Sequence, residues 1–187
     1  LIKSKIAERR AIHEKKWIEE AALWPETGKV LAIGIMAGSL SESVIFHVNQ
    51  SDEREILESW WDIFQSWNRS DGQRFAGFAI FHFDLPFLIL RSRILGVRVP
   101  MAEQLRNGRY FSTNLFCDLQ DEWLLGRSRH ECNCSLDHVA KSLGVGAKTQ
   151  EAKNFGRLYV SDQAAALSYL RNDLAITRAV ADKLGLL

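Results

Sequence analysis

Residues 75–88, FAGFAIFHFDLPFL, change character at a single point. From Phe75 to Phe83 the run is almost wholly apolar, which predicts a strand covered on both faces. Asp84 follows at once, and Pro86 suits the first turn of a helix reaching about Leu95. Strand, acid, helix is the order that brings a functional carboxylate to the C-terminal edge of an α/β sheet. A helix N-cap is an equally good reading of Asp84, because an aspartate side chain satisfies the free N–H groups of a first turn.

Upstream of this stretch, KVLAIGIMA at 29–37 is a continuous apolar run and SVIFHV at 43–48 nearly alternates, so the two predict an antiparallel hairpin turning at Gly38 and Ser39. Glu53 to Trp67 sets Ile56, Leu57, Trp60, Trp61, Phe64 and Trp67 on one helical face, with acidic residues opposite. Three tryptophans on one helix also offer a surface for a protein partner. Residues 1–23 are dense in Lys, Arg and Glu around a loose apolar stripe and predict a charged surface helix ended by Trp24 and Pro25. Downstream come a loop with basic residues at 96–109, a short strand from Phe116 to Leu119, and a helix from Ser135 to Leu143 capped by Ser135. From Ser161 to Leu184 the apolar residues Ala166, Leu170, Leu174, Ala181 and Leu184 recur at helical spacing, with Ser161 or Asp162 as cap. These elements make one α/β domain over residues 1–187, with a mixed sheet that begins with the hairpin.

The composition fits such a domain: 187 residues, 47% of them hydrophobic and 25% charged. No apolar run approaches the roughly 18 residues of a membrane span. The net charge is +1, from 24 Lys and Arg against 23 Asp and Glu, so nucleic acid would have to be held by local basic patches rather than a global field. Arg91, Arg93, Arg98, Arg106 and Arg109 form one such group. Three cysteines, Cys117, Cys132 and Cys134, do not make a disulfide framework and point to a reducing, cytoplasmic setting. His130, Cys132, Cys134 and His138 lie within nine positions and offer a zinc-capable set, but a Cys-x-Cys pair flanked by histidines matches no common finger or ribbon spacing.

Asp173 is the second acid to stand out. It lies beside the apolar stripe of the last helix, four residues after Tyr169, so that phenol and carboxylate share a face. A carboxylate there is costly unless paired or metal-bound, and Arg171 or Arg178 could supply an ordinary partner.

Taken together, these residues resemble the DEDD superfamily of 3′–5′ exonucleases. Gly77 to Leu88 is similar to its second motif, in the Phe-Asp-x-Pro-Phe-Leu form found in proofreading domains of family B DNA polymerases. Tyr169 to Asp173 matches the third motif in its Tyr-x-x-x-Asp version, and Ser168 stands where the other subclass has histidine. Ser135 to Val145, with Lys148 and Phe155, resembles the helical connector of stand-alone exonucleases related to those domains. The resemblance covers about Lys29 to Leu184. It implies a ribonuclease H-like fold with a mixed central sheet and helices on both faces.

Two positions depart from the family pattern. The usual second-motif asparagine falls at Ala79, and the first-motif Asp-x-Glu occurs nowhere in the chain. The resemblance implies that this pair belongs to a first core strand upstream of Leu1, with residues 1–23 as a charged helical insertion; a degenerate, inactive relative is the competing expectation.

The activity implied is hydrolysis of phosphodiester bonds at the 3′ end of single-stranded or frayed DNA, with RNA second, through two divalent ions about 3.5–4 Å apart. Mg²⁺, with Mn²⁺ as substitute, suits hard oxygen ligands, of which Asp84 and Asp173 would be two. Tyr169 would orient the attacking water. Phe83 and Phe87 would pack near the terminal nucleotide or simply fill the core, and Lys148 and Arg171 would contact phosphate. The rival expectation is a non-catalytic nucleic-acid-binding or interaction module on the same fold.

Overall fold

The computed structural model describes residues 21–36, 43–48, 51–68, 74–100, 115–148 and 155–186. The predicted helix over 1–23 lies outside these residues except for a short 3-10 turn at Ala21–Leu23, and so does most of the basic loop over 96–109. In chain order the elements are β1 (Ala32–Met36), β2 (Ser43–His47), α1 (Glu53–Asn68), β3 (Phe75–Gly77), α2 (Asp84–Ile94), β4 (Phe116–Asp118), α3 (Leu119–Leu124), α4 (Leu136–Leu143), α5 (Phe155–Ser161) and α6 (Gln163–Lys183). The architecture is mixed α/β.

The two hairpin strands pair where the sequence predicts them, with Ala32 opposite His47 and Met36 opposite Ser43, and the predicted turn at Gly38 and Ser39 lies outside the described residues. β3 and β4 run parallel, with Phe75 beside Phe116 and Gly77 beside Asp118. Among the described residues these remain two separate two-stranded sheets, where the sequence predicts one mixed sheet.

Helices cover both faces of β1. Ile33 and Ile35 point into a core shared with Ile56, Leu57, Trp61 and Phe64 of α1 and with Leu85 and Phe87 of α2. Gly34, between them, faces the opposite way, as alternation along a strand requires. A Cβ there would lie 2.7 Å from Leu174 Cδ1 and 3.2 Å from Leu170 Cγ, so glycine is what lets α6 approach β1. β4 divides in the same manner: Phe116 joins the α1 core, while Cys117 packs with Val139 and Ala140 of α4 and Ile176 and Val180 of α6.

The α1 core is built largely of rings. Phe64 stacks on Phe75 and Phe116 at 5.2 and 5.7 Å between centroids, and Trp60 meets Phe75 edge-on. Trp60 and Trp61 are 7% and 1% exposed, so these two belong to the interior and do not form the partner surface that the sequence suggests. The Trp61 indole N–H donates to Ser92 Oγ, whose hydroxyl donates to the Leu88 carbonyl, tying α1 to α2. The same helices are joined at their other contact by an ion pair: Arg91 Nε and Nη2 lie 2.6 and 2.9 Å from the two Glu53 oxygens. Glu53 Oε1 also accepts the Val30 N–H, and Arg91 Nη1 donates to the Pro25 carbonyl. Arg91 is therefore withdrawn from the basic group in which the sequence places it.

The strand predicted to run to Phe83 stops at Gly77. At Ala79 the backbone enters the left-handed region, with φ of 58°, and His82 and Phe83 then donate to the Ala79 carbonyl, closing a tight turn before α2. Apolar content alone does not mark this break. It is imposed by a carboxylate from the neighbouring strand.

Candidate functional site

That carboxylate is Asp118, which ends β4 and caps α3. It is 3% exposed, and its Oδ1 accepts the N–H groups of Gln120 and Ala79, each at 2.9 Å, while Oδ2 accepts that of Phe81 at 3.2 Å. The β3–α2 turn is thus held from the adjacent strand, and α2 begins at Asp84. The N-cap position is Phe83, with no capping side chain, so Asp84 does not take the capping role offered by one of its two sequence readings.

Asp84 reaches solvent, yet its carboxyl is closely surrounded by protein. This crowding is the main reason that its pKa is pushed up to about 7; its own backbone N–H opposes the shift, and the like charge of Asp118 adds to it. The result is an accessible carboxyl that ionises reluctantly unless a cation arrives. His82 Nε2 stands 3.9 Å from Asp121 Oδ1, and together with Asp118 they place three ligand-type atoms within 4.8 Å of one another. With three N–H groups already directed at its two oxygens, Asp118 has little capacity left for an ion, and the set serves better as an anchor than as a metal site.

The second half of the site lies on α6. Asp162 caps this helix by accepting the Ala165 N–H, and the predicted face brings Tyr169 and Asp173 together with Lys148. Lys148 Nζ is 2.7 Å from Asp173 Oδ2 and 5.3 Å from the centre of the Tyr169 ring. Asp137 fixes the approach of this lysine by accepting its backbone N–H at 2.9 Å. Burial works against the Lys148 charge, but Asp173 and Tyr169 outweigh it and hold the ammonium above its ordinary pKa. Tyr169 is 5% exposed; burial raises its phenol pKa, partly offset by Lys148. Tyr169 Oη and Asp173 Oδ1 are both buried and make no well-aligned hydrogen bond among the described residues, although Lys148 and Asp173 stand close enough to the phenol to act on it. Two such atoms one helical turn apart are unusual, since buried polar groups are nearly always paired.

The remaining sequence candidates separate. Phe83 is 44% exposed while Phe87 is 8% exposed, their rings 5.6 Å apart, so Phe87 fills the core and Phe83 offers its face to solvent. Arg171 is exposed on the side of α6 away from the core. Lys148, expected at phosphate, is engaged by Asp173. The acid whose charge acts on Asp84 is Asp118, and among the described residues no group of three metal-ligating side chains includes Asp84 or Asp173.

The zinc-capable set is not assembled. Cys132 Sγ donates to the Ser128 carbonyl, Cys134 Sγ accepts from Gln120, and Ser135 Oγ caps α4 as predicted.

Comparison with protein-family models, curated proteins and solved structures finds no match for this chain.

The chemistry open to the site follows from its donors. An accessible carboxyl with no ion pair among the described residues and a half-buried carboxylate with one oxygen outside its ion pair are hard oxygen donors of the kind Mg²⁺ and Mn²⁺ accept, so Asp84 and Asp173 fit such ions. Sequence reasoning missed Asp118, although one signal was present: an aspartate closes each of two short apolar runs, 75–83 and 116–117. No helix among the described residues is long and apolar enough to cross a membrane.

Proposed function

We propose that this protein is a metal-dependent 3′–5′ exonuclease of the tyrosine subclass on a ribonuclease H-like fold, acting on single-stranded or frayed DNA 3′ ends in preference to RNA in a reducing, cytoplasmic setting. The observation that carries the reading is the pair of buried oxygens on α6 that make no well-aligned hydrogen bond, Tyr169 Oη and Asp173 Oδ1. In this reading a water at Tyr169 and a cation at Asp173 complete them.

In this reading Asp84 and Asp173 hold the ions. When bound, Mg²⁺ supplies a nucleophile near neutral pH and neutralises charge on the leaving oxygen. Tyr169 stays a neutral phenol, because its pKa is raised, and orients the attacking water through Oη. Exposed Phe83 offers a stacking surface for a terminal base, which needs no particular sequence. Lys148 either withdraws from Asp173 when an ion enters or keeps its oxygen pointed inward. The Asp-x-Glu pair that would complete the ligand set is not found in this sequence.

Incubation with a 3′-labelled oligonucleotide and Mg²⁺ or Mn²⁺ tests the activity. Shortening from the labelled end that Asp173→Ala abolishes is the expected result, and equal absence of degradation in both proteins refutes it.

One observation favours the second reading, an inactive nucleic-acid-binding or interaction module. The Lys148 ammonium at 2.7 Å already gives Asp173 the positive charge a metal would bring. That module would retain the oligonucleotide intact, with or without divalent ions.

A further inference from the structure

Nothing in the 78–83 segment itself explains why it stops being a strand. Ala79 occupies the left-handed region, which disfavours residues with a Cβ, and the side chain bonded to its N–H comes from 39 positions away. The parallel register makes the reach possible: Asp118 lies beside Gly77, so its carboxylate projects past the end of β3 and meets Ala79 and Phe81 as the chain turns. A third bond, from Gln120, fixes the carboxylate at the start of α3. Both oxygens and three amides are thereby used, and the residue is buried. Between Phe81 and Asp84, which opens α2, the chain has only His82 and Phe83.

We infer that Asp118 is the positioning residue for Asp84: by clamping the turn at Ala79 and Phe81 it sets where α2 begins and so where the Asp84 carboxyl is presented. This rests on the reading of Asp84 as a metal ligand. The role assigned to Asp118 is positional, its two oxygens being engaged by three backbone N–H groups. Its charge also adds to the upward shift of the Asp84 pKa.

The test uses the full chain, Mn²⁺ alone as probe, and backbone amide resonances as readout. Mn²⁺ broadening of the Asp84 amide gives an affinity, and hydrogen exchange at Ala79 and Phe81 reports the clamp. Asp118→Ala is expected to speed exchange at those two amides while leaving the amides of α1 and α6 protected, and to weaken Mn²⁺ binding about 10-fold or more, the scale seen when outer-shell partners of metal ligands are removed. Asp118→Asn keeps one carbonyl oxygen and is expected to recover part of both, and it carries the test if the alanine variant does not fold. Asp84→Asn serves as the reference for loss of the ligand. If Asp84→Asn weakens Mn²⁺ binding and both Asp118 variants leave it at the wild-type value, the positioning role is overturned. Unchanged exchange at Ala79 and Phe81 overturns the clamp directly. Wild-type affinity in Asp84→Asn overturns the metal reading instead, and the exchange arm then decides the clamp separately.

Discussion

Removing Glu53 should unfold much of what joins β1, α1 and α2. Its carboxylate is 8% exposed and the facing Arg91 side chain 14% exposed, and the pair is bidentate, at 2.6 and 2.9 Å. Such a pair contributes little beyond what an apolar pair of the same shape would, because desolvating both charges offsets their attraction, but removing one partner strands the other in the interior at about 3–5 kcal/mol. In Glu53→Ala the Val30 N–H also loses its acceptor, another penalty of about 1–3 kcal/mol if water does not replace it. The two losses share an atom and are not additive, so about 3–5 kcal/mol is the expected total. Against a typical net stability of about 5–15 kcal/mol, that is from about a fifth to all of what holds the fold.

Urea unfolding followed by fluorescence of the buried tryptophans measures it. With a slope of about 2 kcal/mol per molar, the midpoint should fall by about 1.5–2.5 M. The double variant Glu53→Leu, Arg91→Met removes both charges and should recover at least half of the loss. A drop below about 1 kcal/mol in Glu53→Ala, or a double variant as damaged as the two single changes summed, would refute the reasoning.

Two further outcomes follow from the β3–α2 turn. Ala79→Gly relieves a left-handed alanine, worth about 1–2 kcal/mol, against about 0.5–1 kcal/mol of added chain entropy in the unfolded state, so the melting temperature should rise by a few degrees in a calorimetric scan; a fall would contradict the turn geometry. Asp84 holds its proton more tightly in the folded protein, up to about 7, so its contribution to stability is complete below the ordinary carboxylate value of 3.8 and is lost as pH rises through about 7. Asp84→Asn cannot ionise, and the melting temperature of wild type relative to this variant should therefore decline across that interval; parallel curves would exclude the raised pKa.

Elements with a repeating pattern or a local cap were legible in the sequence. The hairpin, α1, α2, α4 and α6 fall within a few residues of their predicted bounds, because their apolar spacing and the caps Ser135 and Asp162 act over one or two turns. The Tyr169 and Asp173 face was legible for the same reason. α3 and α5, at 6 and 7 residues, are too short to display a period. What escaped was the non-local polar pairing: Glu53 with Arg91 across 38 positions, Lys148 with Asp173, and Asp118 with Ala79 across 39. Each partner alone reads as an ordinary surface charge, and only the packed chain reveals the other. The end of β3 was misread on that account, since aromatic and branched residues favour a strand until a distant carboxylate takes their amides.

The clamp on the β3–α2 turn also sets an order in time. Tyr169 and Asp173 come into register as soon as α6 winds, a process of about 0.1–1 μs for a helix of this length. Asp84 cannot follow that schedule, because the group that shapes its turn lies beyond a long closure, and contacts of high sequence separation form late. During synthesis the order differs: at about 5–20 residues per second, several seconds separate the emergence of Asp84 from that of Asp118 and Gln120, and several more pass before Tyr169 and Asp173 follow. The two halves of the candidate site thus mature separately: the acid at the head of α2 comes second when the whole chain refolds, and first when the chain is made, because α6 emerges last.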